Sequence, residues 1–129
     1  MLVKTYSSTV EGIDARTITV EVNLSPGIRF LVVGLPDNAV RESQQRITAA
    51  FANNGFRMPG FNILVNMAPA DMRKVGSHYD LPIAVGILAA SKQVAAEGTL
   101  ERYVLIGELS LDGTLLPVTK LDIVKDTPT

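Results

Sequence analysis

"IRFLVVGLPDNAVRESQQRITAAFANNG", Ile28–Gly55, changes its period part-way. Up to Leu35 the residues are almost uniformly apolar, as expected of a central strand. Beyond Pro36 the pattern becomes helical. Val40, Ile47 and Phe51 share one face with Ala50 beside them, while Arg41, Gln45 and Arg46 point elsewhere. Asp37, following Pro36, is read as the N-cap, and Asn53-Asn54-Gly55 as the stop.

Upstream, "LVKTYSSTV" (Leu2–Val10) and "ARTITVEVNLS" (Ala15–Ser25) read as strands. In the second, Ile18, Val20 and Val22 alternate with Thr19, Glu21 and Asn23. Gly12-Ile13-Asp14 and Ser25-Pro26-Gly27 supply the turns. Downstream, "FNILVNMA" is a strand with Phe61, Ile63, Val65 and Met67 on one face and Asn62 and Asn66 on the other. A second helix is expected from Leu81 to Ala95. A strand, a turn at Asp112-Gly113 and a return strand close the pattern. The order is βββ-α-β-α-ββ, an α+β two-layer domain with its helices on one face of a mixed sheet.

With 129 residues the chain has the length of one domain, and 47% apolar residues allow a core and argue against disorder. A net charge of −1 leaves nucleic-acid binding to a local patch at most. There is no cysteine and one histidine, which excludes disulfides and makes a metal site poorly founded. The absence of cysteine fits a cytoplasmic location. "LPIAVGILAA" is about half of what a membrane span requires, and the N-terminus lacks a signal-peptide pattern. Neither G-x-x-x-x-G-K-[ST] nor G-x-G-x-x-G occurs, so ATP binding by this stretch is not expected.

The densest chemistry lies in "RKVGSHYDLPIAVGIL", Arg73–Leu88. Three readings stay open. In the first, Asp80 caps the second helix, Leu81, Val85 and Leu88 are buried, and Ala84 completes the stripe. In the second, Ser77 is a nucleophile with Lys74 three residues before it, His78 is a base, and the helix N-terminus stabilises an anion. In the third, Arg73 and Lys74 contact a phosphate backbone or a neighbouring subunit.

"VVGLPDNAVRESQQRITAAFANNGFRMP", "ILVNMAPADMRKVGSHYDLPIAVGIL" and "IGELSLDGTLLPV" resemble the N-terminal domain of the ComM/YifB family of magnesium-chelatase-like AAA+ ATPases. The resemblance covers residues 1–118. Residues 119–129 depart from the family pattern and read as a divergent or non-native tail. The fold implied is that of the Lon protease domain, related to a domain of a small-subunit ribosomal protein. Lon-type proteases carry a "KDGPSAG" loop with a serine nucleophile and a later lysine. Laid on "KVGSHYD", Lys74 and Gly76 coincide with that loop, but the serine position falls on His78 and Ser77 falls on the proline. The later lysine position falls on Asp122, with Lys120 out of register.

The resemblance therefore implies a degenerate protease loop (Lys74, Ser77, His78) and a non-catalytic accessory domain without its own cofactor. ATP and Mg2+ would belong to an ATPase module outside this chain. The partners implied are that module, neighbouring subunits of a homo-hexamer, and DNA, with the parent a branch-migration motor in natural transformation. A Ser-Lys peptidase domain and a metal-chelatase subunit are the alternatives.

Overall fold

The computed structural model describes residues 1–11, 14–70, 78–96 and 98–116. The strands are β1 (Leu2–Glu11), β2 (Asp14–Ser25), β3 (Phe30–Val33), β4 (Asn62–Ala68), β5 (Glu108–Leu109) and β6 (Leu115–Leu116). The helices are α1 (Asp37–Ala52) and α2 (Asp80–Ala90), and a 3-10 turn covers Leu100–Arg102. The order βββ-α-β-α-ββ is the one the sequence predicts. The predicted turn residues Gly12 and Ile13 lie outside the described residues.

β1 to β4 form one sheet in the order β1-β2-β4-β3. β1 and β4 run antiparallel to β2, whereas β3 runs parallel to β4. Period-2 alternation places Ile18, Val20, Val22 and Leu24 of β2 on one face with Ile63, Val65 and Met67 of β4. Ile47, Ala50 and Phe51 of α1 and Ile83, Ile87 and Ala90 of α2 cover that face. The fold is a two-layer α+β domain.

β3 is an edge strand, not the central strand its composition suggests. β4 lies between it and β2. Phe30 and Val32 pack against the core, but Leu31 and Val33 are exposed on the other face. A uniform apolar run therefore does not report burial on both faces here. Phe61 precedes β4 and is also exposed.

α1 corrects two expectations. Its N-cap is Pro36, and Asp37 is the first helical residue, where its charge still favours the helix N-terminus. Arg46 does not point away but reaches across to α2. The stop is as predicted: Gly55 has φ +78, and Phe56 N donates to Phe51 O at 2.9 Å.

α2 ends at Ala90, five residues before the expected Ala95. Its buried face is Pro82, Ile83, Ala84, Gly86, Ile87 and Ala90, while Leu81, Val85 and Leu88 are only half-buried. The predicted stripe was rotated because the helix is apolar all round and its periodicity carries little phase information. Two contacts fix the true face. Thr5 Oγ1, buried in β1, donates to Pro82 O at 2.9 Å. Gly86 lies directly over Val22: a Cβ there would be 2.6 Å from Val22 Cγ2.

The first of the terminal strands, β5, is shorter than expected, and β5 and β6 form a separate two-stranded ladder. The turn at Asp112-Gly113 is present, and Ser110 N donates to Thr114 O at 2.9 Å. Hydrogen bonds from Ser110 Oγ, first, and from Thr114 hold the Asp112 carboxyl down at about 2. Asn53 and Asn54 side chains donate to Leu111 O and Asp112 O, which docks this hairpin on the end of α1.

Candidate functional site

Of the residues singled out in the sequence, Arg73, Lys74, Ser77, Lys120 and Asp122 lie outside the described residues. His78 and Asp80 are described, and they sit at the start of α2.

Asp80 is not an N-cap. Tyr79 holds that position and makes no side-chain cap bond, while Asp80 begins the helix with its side chain turned inward. It is 2% exposed. Ser43 Oγ donates to Oδ1 at 2.8 Å. Arg46 Nη2 donates to Oδ1 at 3.1 Å, and Arg46 Nε donates to Oδ2. The bidentate fork is the geometry in which arginine holds a carboxylate most firmly. The hydrogen bond to Asp80 raises the Arg46 guanidinium further above its ordinary value, against the opposing effect of burial. Charges on Asp80, Glu108 and Glu42 act in the same direction as the hydrogen bond. A carboxylate held by three donors is a tie between α1 and α2.

Sequence reasoning missed Ser43 and Arg46. The signal was present but quiet: Ser43 lies on the apolar stripe of α1, where a small hydroxyl residue is out of place unless it has a buried partner.

His78 is half-buried beside this tie. Its ring stacks obliquely on Tyr79, with centroids 4.2 Å apart. Its carbonyl accepts from Gly107 N at 3.1 Å, and Leu81 N donates back to Gly107 O at 3.3 Å. The entry to α2 is thereby fixed to the segment before β5. His78 Nε2 is buried and finds no hydrogen-bond partner among the described residues. Burial holds the imidazole below its ordinary value of 6.5, with the Asp80 charge pulling the other way.

That shift has a measurable consequence. Between the lowered folded value and 6.5 the unfolded chain binds a proton that the folded chain does not. Stability is therefore expected to fall as pH drops below 6.5, levelling once the folded imidazole also protonates. Urea midpoints from pH 7.5 down to pH 5.5 should show a smaller decline in His78→Gln than in the parent chain. An identical decline in both would remove His78 as the cause.

Among the described residues no group of three or more His, Asp or Glu is placed to hold a metal ion. No described helix is long and apolar enough to cross a membrane.

The sequence profile described as "Subunit ChlI of Mg-chelatase" matches residues 20–125, most of the chain. The chain belongs to the ChlI Mg-chelatase-subunit family. Within it, the similarity is to ComM- and YifB-type proteins. A YifB protein of Salmonella typhimurium is 49% identical over 105 residues, covering 81% of this chain and 21% of the relative. The competence protein ComM of Haemophilus influenzae is 46% identical over 111 residues, covering 85% and 22%. A Mycobacterium tuberculosis protein is 37% identical over 116 residues, covering 89% and 23%. The chain thus spans about a fifth of the length of the curated relatives it matches. For this ChlI-family chain, the tie and the histidine beside it belong to the region shared with those relatives.

Proposed function

We propose that this ChlI-family chain is a non-catalytic accessory domain of a magnesium-chelatase-related AAA+ ATPase. The parent is proposed to be a DNA branch-migration motor that acts in natural transformation. The observation that carries this reading is the combination of a protease-like loop without its dyad and a similarity to the competence protein ComM. His78 occupies the serine position of the Lon-type loop, and Asp80 is engaged by Ser43 and Arg46. Asp80, bonded in this way, is not free to orient His78 as a base for a nucleophile at Ser77. No phosphate-cradling glycine run exists in the sequence, so ATP and Mg2+ would bind in the parent's other modules, and its subunits would form a homo-hexamer. In that assembly Arg73 and Lys74 would face DNA or a neighbouring subunit from the stretch of sequence before α2.

The isolated chain is expected to hydrolyse neither ATP nor casein. In the full-length parent, charge reversal of Arg73 and Lys74 to Glu is expected to weaken single-stranded DNA binding, most visibly at low salt. Labelling of Ser77 by a fluorophosphonate probe, lost in Ser77→Ala, would overturn the non-catalytic reading. DNA affinity unchanged by the double reversal across a salt titration would overturn the DNA contact.

A further inference from the structure

β1 forms one edge of the main sheet. Met1 N donates to Leu24 O and Leu24 N donates to Met1 O, each at 3.0 Å. Such mutually bonded pairs alternate along an antiparallel ladder. Val3, Thr5 and Ser7, opposite Val22, Val20 and Ile18, therefore turn their backbone groups toward β2. Leu2, Lys4 and Tyr6 turn theirs outward. Tyr6 bears this out: its carbonyl accepts from Leu105 N at 2.7 Å. Among the described residues nothing pairs with the outward groups of Leu2 and Lys4. A groove of about 700 Å³ runs along them, lined by Leu2, Lys4, Tyr6, Lys92, Val94 and Leu100 among others.

We propose that this groove is a docking site for an extended acidic segment of a partner protein, added as a strand beside Leu2 and Lys4. An extended backbone is the chemistry that satisfies alternating outward N–H and C=O groups. The added strand would also continue a contact that already exists, since residue 105 pairs with the same edge at Tyr6. Charge selects the side chains. Two lysines, Lys4 and Lys92, and one carboxylate, Glu101, are among the described lining residues, and Glu21 lies opposite Lys4 on β2. Val94 and Leu100 offer apolar contacts for alternate positions of the strand.

Lys92 supplies a further argument. It sits just past the end of α2 with φ +60, and Gln93 N donates back to Leu88 O at 2.9 Å. Glycine is the residue that such a helix end accepts without strain. A lysine there carries a backbone cost, and it is one of the residues that line the groove. A second copy of this chain is the poorer occupant, because pairing two β1 edges would bring Lys4 of each near the other.

The test uses the 129-residue chain and a capped seven-residue peptide alternating valine and glutamate, followed by amide NMR and hydrogen exchange. Binding is expected to shift and protect the Leu2 and Lys4 amides. The Lys4→Glu, Lys92→Glu double variant should weaken it by roughly tenfold. A peptide N-methylated at every residue, with no N–H left to donate from either edge, should not bind, and this arm decides the question even if the double variant folds poorly. The proposal is overturned if the peptide does not bind at millimolar concentration, if the N-methylated peptide binds equally well, or if the protected amides lie elsewhere. Concentration-dependent self-association that protects the same amides without peptide would assign the edge to a second copy instead.

Discussion

Arg46→Met is expected to destabilise the chain by about 3–5 kcal/mol, and Asp80→Asn by less, about 1–3 kcal/mol. The asymmetry follows from exposure. The Asp80 side chain is 3% exposed and the Arg46 side chain 22%. Removing the guanidinium strands a carboxylate that cannot reach water and keeps only the Ser43 hydroxyl as donor. Removing the carboxylate charge leaves an arginine that can swing outward, where Glu42 already lies 4.0 Å away. A helix-capping role for Asp80 predicts a different order, because asparagine caps as well as aspartate and Arg46 would then be irrelevant. Replacing both partners, as Arg46→Met with Asp80→Leu, should recover much of the loss, since neither charge is then stranded. Urea midpoints at constant m-value separate these cases. A cost below 1 kcal/mol for Arg46→Met, or a larger cost for Asp80→Asn, would mean that the tie does not bear on stability.

The same pair shows what the sequence could disclose. Asp80 was visible as a residue at the start of a helix, because its position before an apolar run is a local signal. Its partner was not, because Arg46 lies 34 residues away and nothing local marks it. Strands with clean alternation, such as β2, bury the face that the alternation predicts. The buried face of α2 differs from the one its periodicity predicts. In β2 the polar residues fix the phase, whereas in α2 only Asp80 is polar and it is turned inward. The edge position of β3 was equally hidden, since strand order depends on which strand β4 accepts on each side.

Gly86→Val is expected to cost roughly 3 kcal/mol or more, at the upper end of overpacking effects. A glycine inside a helix would ordinarily be a weakness, and alanine there should gain up to about 1 kcal/mol in propensity. Here the space decides against it. The first added carbon would lie 2.6 Å from Val22 Cγ2 and 3.7 Å from Thr5 Cγ2. Val22 cannot easily give way, because it is fully buried on a strand flanked by β1 and β4, and its branched side chain has few rotamers. Relief would have to come from lifting α2, which would loosen the Thr5–Pro82 hydrogen bond and the contacts of Ile83 and Ile87 together. Gly86→Ala should therefore be neutral to about 2 kcal/mol destabilising, the clash outweighing or cancelling the propensity gain. The decisive measurement is a double-mutant cycle with Val22→Ala. If Gly86 is set by the approach of α2 to β2, the small residue at 22 removes the clash, and Gly86→Ala becomes stabilising in that background. A coupling of about 1 kcal/mol or more is expected, well beyond the few tenths typical of independent sites. Strict additivity would show that the close approach of helix to sheet at Gly86 is not what selects glycine there.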